Sequence, residues 1–266
     1  MVSKVKEQYS DWYKNIDKNK YYLVLSNDID SYLSCLFLKK KFGVEIGGFY
    51  DFEALYINSK LTEGKEPIYV DADIMDGLAF GNHPTALKNK NTINLNCNIS
   101  EKNYTDKFAG STLMTLYSLY DVDLRKYAPY KIQLLLTVDV WFKQFFRFRD
   151  KWDYWTKQMG MEYLTDIITE YDMTEEAYYN TLIDYGFNRD IHIYGWEGNY
   201  DLGFNLDYDA LKEDLNITIP KPTCTFDKKI LDLHIGQGDY FKLKNKKDRI
   251  FSNAMTYKGQ YRYSYI

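Results

Sequence analysis

Two Asp-x-Asp pairs follow short apolar runs in the first third of this 266-residue chain. Asp28 and Asp30 follow the run YYLVLS, and Asp71 and Asp73 follow PIYV. Alternate residues of an extended chain point the same way, so each pair can present two carboxylates to one place. Clustered carboxylates repel one another unless a cation lies between them, which indicates a hard divalent metal. His83, in the following loop GNHPT, adds an imidazole and favours Mn²⁺ over Ca²⁺.

These aspartates also suit a purely structural role. Asp30 or Ser31 can cap a helix predicted over 32–42, and Asp73 can do the same after residue 70. For any one residue the two interpretations are equally well supported. The joint pattern of two Asp-x-Asp endings and a loop histidine favours a metal site.

The elements that must position these side chains alternate between strand and helix patterns. Apolar runs of strand length predict strands at 21–26, 44–52, 67–74 and 92–99. Periodic apolar positions predict helices over 3–18, 32–42, 104–120, 131–146 and 151–186. This order predicts an α/β fold with a doubly wound, mainly parallel sheet, in which ligands bind at the carboxyl ends of the strands.

We expect three parts along the chain. Residues 1–150 form the α/β metal-binding domain and residues 151–220 a helical segment. Beyond the break at IPKP, the short alternating runs of residues 221–266 predict a small β-rich C-terminal module.

In the order and spacing of its motifs, the stretch 20–145 resembles the DHH superfamily of phosphoesterases. That group includes single-strand exonucleases, enzymes that hydrolyse oligonucleotides or cyclic dinucleotides, and inorganic pyrophosphatases. The family's first motif, H-x-D-x-D-G before a helix, falls at SNDIDS (26–31). Its lone strand-end aspartate corresponds to Asp71, its D-H-H loop to the surroundings of His83, and its last aspartate to Asp139 in LLTVDVW.

The resemblance implies a function and a set of roles. It implies a Mn²⁺- or Mg²⁺-dependent phosphodiesterase or exonuclease acting on a nucleotide or a short single-stranded nucleic acid. In such chemistry the metal activates a water for in-line attack on phosphorus. The implied metal ligands are Asp28, Asp30, Asp71, Asp139 and His83. Asp71, as the bridging ligand, and His83 are the implied catalytic residues.

Several departures from the family pattern leave a second function open. Ser26 stands where the family has its leading histidine, and Ser31 where it has glycine. The loop GNHPT keeps one histidine, and either Asn82 or Gly81 can begin the D-H-H register. The family's G-G-G-H motif has only the faint counterpart HIGQG. The alternative is a catalytically degenerate DHH-like protein that serves as a binding or interaction module.

A third and weaker hypothesis treats Asp28 and Asp30 as the nucleophile and acid of a haloacid-dehalogenase-type phosphatase. The helix that directly follows Asp30 fits the DHH pattern better.

Five residues are candidates for binding substrate. Ser111 and Thr112 lie at a predicted helix start, where amides and hydroxyls suit a phosphate, although ordinary capping by Ser111 explains the pattern more simply. The other three are Asn82 beside His83, and Lys258 and Arg262 in the C-terminal module.

Composition limits the class of protein. A net charge of −4 argues against a protein that coats duplex nucleic acid. Cys35, Cys97 and Cys224 lack metal-site spacing, and Cys35 and Cys97 are typical of buried thiols in a reducing compartment. No apolar run of membrane-spanning length occurs, so we expect a cytoplasmic protein without a membrane partner. Abundant Tyr, Lys, Asn and Ile are typical of an AT-rich genome, bacterial or phage. The oligomeric state stays open, a homo-oligomer included.

Overall fold

The four strands predicted within the first 100 residues pair with three further strands to build a seven-stranded sheet in the computed structural model, which describes all 266 residues. In chain order the strands are β1 (Tyr21–Leu25), β2 (Ile46–Tyr50), β3 (Ala54–Ile57), β4 (Glu66–Val70), β5 (Leu78–Phe80), β6 (Thr92–Ile93), β7 (Ile191–Trp196), β8 (Asn199–Phe204), β9 (Thr225–Phe226), β10 (Lys228–Asp232), β11 (His234–Gly238), β12 (Ile250–Tyr257) and β13 (Gln260–Tyr265). The main sheet has the order β10–β3–β2–β1–β4–β5–β6.

The topology confirms the predicted mainly parallel α/β fold. Strands β2, β1, β4, β5 and β6 run parallel, whereas β3 and β10 are antiparallel additions at one edge. Strand β1 is central, and four of its five residues are buried, as expected of a strand covered on both faces. Two small antiparallel sheets, β7–β8–β9 and β11–β13–β12, complete the β structure.

Eleven α-helices accompany the strands. They are α1 (Ser3–Lys6), α2 (Ile29–Phe42), α3 (Ser59–Thr62), α4 (Thr112–Leu119), α5 (Pro129–Thr137), α6 (Phe142–Arg147), α7 (Arg149–Met159), α8 (Tyr163–Glu170), α9 (Glu175–Asp184), α10 (Tyr208–Leu215) and α11 (Tyr240–Lys244). Short 3-10 turns lie at Asp11–Lys14, Glu101–Asp106, Leu124–Lys126, Val138–Val140 and Lys247–Arg249. Helix α2 ends at Gly43, whose φ of 71° is the left-handed conformation that glycine adopts easily. No helix is long and apolar enough to cross a membrane.

Several predicted elements are shorter or broken. The helix predicted over 104–120 is reduced to α4, and the helix predicted over 151–186 is divided into α7, α8 and α9. The helix predicted over 3–18 is reduced to α1 and a 3-10 turn. The strand predicted over 92–99 stops at Ile93, because the side chain of Asn94 bonds the amide of Asn96 and turns the chain. The helix predicted over 131–146 is interrupted at Asp139, where φ is 56°.

The helices of the middle segment share one core with the parallel sheet. A single cluster of 46 buried side chains extends from Val5 to Phe226 and includes residues on both sides of position 150. The segment 151–220, predicted to be helical, also contains the β7–β8 hairpin. In the C-terminal module, β10 joins the main sheet, β9 pairs with β8, and the other three strands form the sheet β11–β13–β12.

Candidate functional site

Adjacent strand ends bring Asp28 and Asp71 together. Leu25 pairs with Val70 at the last position of β1 and β4, and the two aspartates follow these strand ends. The two carboxyls interact, since the negative charge of Asp71 adds to burial in raising the pKa of Asp28. Asp28 also caps α2, since its Oδ1 accepts a hydrogen bond of 2.9 Å from the amide of Ser31. The capping role that the sequence offers to Asp30 or Ser31 therefore falls to Asp28.

Ser31 joins the two strand ends to each other. Its Oγ donates to the carbonyl of Val70 at 2.7 Å and accepts from the amide of Ser26, also at 2.7 Å. These two hydrogen bonds hold the ends of β1 and β4 side by side. The hydroxyl of Ser26 itself is buried and has no hydrogen-bond partner.

Asp30 holds the beginning of helix α4. Its Oδ2 accepts from the amide of Thr112 at 2.6 Å, and its Oδ1 accepts from the amide of Leu113 at 2.9 Å. A carboxylate is stabilised at this end of a helix, where free amides point outward. Both oxygens of Asp30 are thus occupied by backbone donors.

Thr112 and Ser111 stabilise this arrangement from the protein interior. The hydroxyl of Thr112 donates to Asp71 Oδ1 at 2.7 Å, and Ser111 Oγ caps α4 by accepting from the amide of Met114 at 3.1 Å. Both side chains are fully buried. The structure therefore shows these hydroxyls in internal hydrogen bonds rather than facing a substrate, and the simpler capping interpretation of Ser111 is confirmed.

Asp139, from a later part of the chain, lies near Asp28 and Asp71. It lies on the turn between α5 and α6, is exposed to solvent, and accepts from Asn82 Nδ2 at 2.6 Å. The other amide atom of Asn82, Oδ1, is buried without a partner. Asp71 and Asp139 both have φ near 55°, a left-handed conformation that aspartate tolerates better than most residues.

Asp73 holds the loop that carries His83. Its Oδ2 accepts from the amide of His83 at 3.0 Å and lies 3.4 Å from the ring atom Nδ1. Asn94 donates from Nδ2 to Asp73 Oδ1 at 2.7 Å and to the carbonyl of His83 at 2.8 Å. A Cβ at Gly81 would lie 2.0 Å from Asp73 Oδ1, so only glycine fits there. With Nδ1 facing a carboxylate, Nε2 is the ring atom left for a ligand.

The expectation that alternate aspartates point the same way is wrong at both strand ends. Strand β1 ends at Leu25 and β4 at Val70, so neither Asp-x-Asp pair is in extended strand conformation. As a result Asp71 joins Asp28, whereas Asp73 turns to the His83 loop. Asp73 carries no predicted ligand role, and its place in the repeated Asp-x-Asp pattern is the only sequence signal for it.

We call the side chains of Asp28, Asp30, Asp71 and Asp139 the carboxylate cluster. Burial, followed by the negative charge of neighbouring members, raises the pKa of Asp28, Asp30 and Asp71, to about 6 for Asp71. Asp139 is exposed at its surface, but the protein around its carboxyl desolvates it and, with the charge of Asp28, raises its pKa to about 6. For His83, burial lowers the pKa, but the hydrogen bond and charge of Asp73 outweigh it and raise the pKa to about 9. The cluster thus holds more negative charge than its own surroundings neutralise.

The donor types suit a divalent cation, but the side chains do not form a finished coordination shell. No group of three or more His, Cys, Asp or Glu side chains is arranged to hold a metal ion. Oxygen donors from Asp28, Asp71 and Asp139, with the imidazole of His83, are the chemistry that Mn²⁺ and Mg²⁺ accept. Metal binding therefore requires these side chains to draw together around the ion.

The remaining predicted substrate residues lie on the C-terminal sheet. Lys258 is in the exposed β12–β13 turn, and the guanidinium of Arg262 lies over the ring of Phe52, 5.5 Å from its centroid. Strand β12 runs beside the His83 loop, since the amide of Asn253 bonds the Asp73 carbonyl at 3.0 Å. Neither Lys258 nor Arg262 contacts the carboxylate cluster directly.

Comparisons of this chain with protein-family models, curated proteins and solved structures gave no match. The resemblance to the DHH superfamily therefore stays a prediction from the motifs themselves.

Proposed function

We propose that this protein is a metal-dependent phosphoesterase that acts on a nucleotide or a short single-stranded nucleic acid. One observation carries the proposal: three separate chain segments bring carboxylates, and a fourth brings His83, to the carboxyl edge of the parallel sheet. Ligands bind at this edge in open α/β sheets. Mutual repulsion among these carboxylates is the condition that a divalent cation relieves.

The hydrogen bonds divide the predicted ligands into two groups. Asp28, Asp71, Asp139 and His83 would hold the metal, because each keeps a donor atom that no backbone group occupies. Asp30 would support the site without binding the metal, since both its oxygens accept hydrogen bonds from amides at the start of α4. The unpartnered Oδ1 of Asn82 offers one further polar atom to a metal-bound water or to substrate.

The bound metal would lower the pKa of a water and neutralise phosphoryl charge. The chain's own residues would place the substrate and the proton. Asp73 orients His83, and a His83 pKa near 9 means that the imidazole is protonated at neutral pH when no metal is present. In that state the imidazolium balances part of the cluster's negative charge, and binding of the metal to Nε2 would release this proton.

The direct test is hydrolysis of bis-p-nitrophenyl phosphate and of a short single-stranded oligonucleotide with Mn²⁺ present. We expect metal-dependent turnover that Asp71→Asn reduces by about 100-fold or more, because the variant removes the carboxylate between Asp28 and Asp139. Asp76→Asn is the matched control, since Asp76 lies on the same loop, is exposed and bonds only the neighbouring amide of Gly77. Absence of turnover, together with absence of bound metal by elemental analysis, would refute the proposed enzymatic activity.

One observation favours the degenerate binding module as the second candidate. Ser26 occupies the position of the family's leading histidine, and its hydroxyl is buried without a partner. A site that lost one metal ligand in this way would bind a nucleotide without two-metal chemistry. Tight nucleotide binding that needs the wild-type Asp71, with no turnover under any divalent metal, would select this alternative.

A further inference from the structure

An apolar groove of about 700 Å³ lies between α2, α5 and the segment 216–220. Along α2 its lining residues are Leu33, Leu36, Phe37, Lys40 and Lys41, which have the spacing of one helix face. From Leu33 to Lys41 this face is about 12 Å long at the rise of an α-helix. One end of the stripe is therefore apolar, and the other end is basic.

Helix α5 repeats the same polarity on the opposite wall. It lines the groove with Leu134 and Leu135 and, earlier in the chain, with Lys131. The C-terminal end of α5 leads to Asp139 in the carboxylate cluster, and the N-terminal end of α2 carries Asp30 in the same cluster. Helix α2 runs away from the cluster, whereas α5 runs toward it. The lysines of both helices therefore lie at the end of the groove remote from the cluster.

The groove has positive charge and no compensating acid. None of its lining residues is Asp or Glu, and none of the three lysines has a carboxylate within salt-bridge distance. By contrast Lys39, the next lysine on α2, is paired with Glu45. Leu113, whose backbone amide is fixed by Asp30, also lines the groove. Lys41 Nζ lies 4.8 Å from the ring centroid of Tyr120, and Lys131 Nζ lies 5.8 Å from that of Tyr130, contacts that leave both charges uncompensated by any acid. The result is an open apolar groove with a cationic mouth formed by the three lysines.

We propose that this groove binds a single-chain acyl anion, with the hydrocarbon chain along α2 and the anionic head at Lys40, Lys41 and Lys131. Small-ligand sites are concave, mostly apolar and oriented by a few polar groups, and their volumes include the volume found here. An acidic helix of a partner protein fits less well, because it would carry charge along its whole length rather than at one end. This binding does not depend on the proposed phosphoesterase activity and needs no metal.

The test is a calorimetric titration of the metal-free protein with dodecanoate below its micelle concentration. We expect one saturable site and a rise in Tm, because a ligand that binds only the folded state stabilises it. Dodecanol, which has the same chain length and no charge, should bind about tenfold more weakly or worse. A fall in Tm would mean denaturation by the surfactant and would overturn the proposal.

A matched pair of triple variants tests the cationic mouth. Combined Lys40→Ala, Lys41→Ala and Lys131→Ala should weaken dodecanoate binding by about tenfold, since three charge contacts are lost. Combined Lys60→Ala, Lys90→Ala and Lys102→Ala removes the same total charge elsewhere and should leave the affinity unchanged. Equal binding by both triple variants overturns the proposal. Saturable binding of an acidic amphipathic peptide in place of dodecanoate also overturns it and assigns the groove to a protein partner.

Discussion

Two buried polar clusters lie near the same edge of the main sheet, and they differ in whether their groups are satisfied. In the hydroxyl cluster, Tyr50 Oη bonds Ser252 Oγ at 2.6 Å, Ser252 bonds Ser264 at 2.9 Å, and Tyr50 also bonds Ser264. These neutral groups satisfy one another completely. The carboxylate cluster instead holds four acids whose pKa values are raised by burial and by one another.

The comparison separates a network that satisfies itself from one that a bound cation would stabilise. The hydroxyl cluster joins β2 to the C-terminal sheet and needs nothing from outside the chain. The carboxylate cluster is destabilised by its own charge, and proteins accept such a cost mainly where a ligand or a reaction uses it. The following experiments are chosen to affect one cluster and leave the other unchanged.

The largest expected effect is the pH dependence of metal binding. Release of one proton from His83, with its pKa near 9, predicts that Mn²⁺ affinity increases by up to about 100-fold between pH 6 and pH 8. Isothermal titration across this range measures the effect. A pH-independent affinity would exclude His83 as a ligand.

The metal-free protein should show the opposite trend in its free energy of unfolding. The folded pKa values of Asp71 and Asp139 lie above their ordinary value of 3.8, and that of His83 lies above 6.5. The folded state therefore binds protons more tightly, so these groups lower stability as pH rises from about 4 through about 6 and again toward about 9. Mn²⁺ should restore more stability at pH 8 than at pH 5, as thermal unfolding with and without metal would show.

A smaller effect is expected for Asp73→Asn. The variant keeps the size of the side chain but weakens the hold on the His83 ring and amide, so Mn²⁺ affinity at pH 8 should fall by about tenfold. Asp76→Asn again serves as the control. Unchanged affinity in Asp73→Asn would mean that Asp73 supports only the loop and not the ligand.

The smallest effect is expected for Tyr50→Phe in the hydroxyl cluster. Loss of this hydroxyl should cost about 1 kcal/mol in the free energy of unfolding, because Ser252 and Ser264 can still bond each other. Urea unfolding measures the cost, with the exposed Tyr257→Phe as control. Metal affinity and turnover should not change, and a change in either would show that the two clusters are coupled.

Local patterns were enough to predict a mainly parallel sheet and to place Asp28 and Asp71 at the ends of its strands. The apolar run YYLVL can be buried on both faces, and Asp28 and Asp71 follow adjacent strands whose ends must meet. Gly43 likewise marks the end of α2 from its own conformational freedom. Such features depend on a few neighbouring residues, so the sequence shows them directly.

Other features depended on contacts between residues far apart in the chain. Only in the folded chain does Thr112 donate hydrogen bonds to both Asp30 and Asp71. Folding also places Asp73 against His83 and away from Asp71. The break at Asp139 arises where α5 meets the carboxylate cluster, a constraint that the helical pattern of LLLTVDVW does not contain. The sequence by itself thus determined which residues could do chemistry and at which edge. Tertiary structure decided which oxygens stay free for a ligand, because hydrogen bonds between distant segments use up the others.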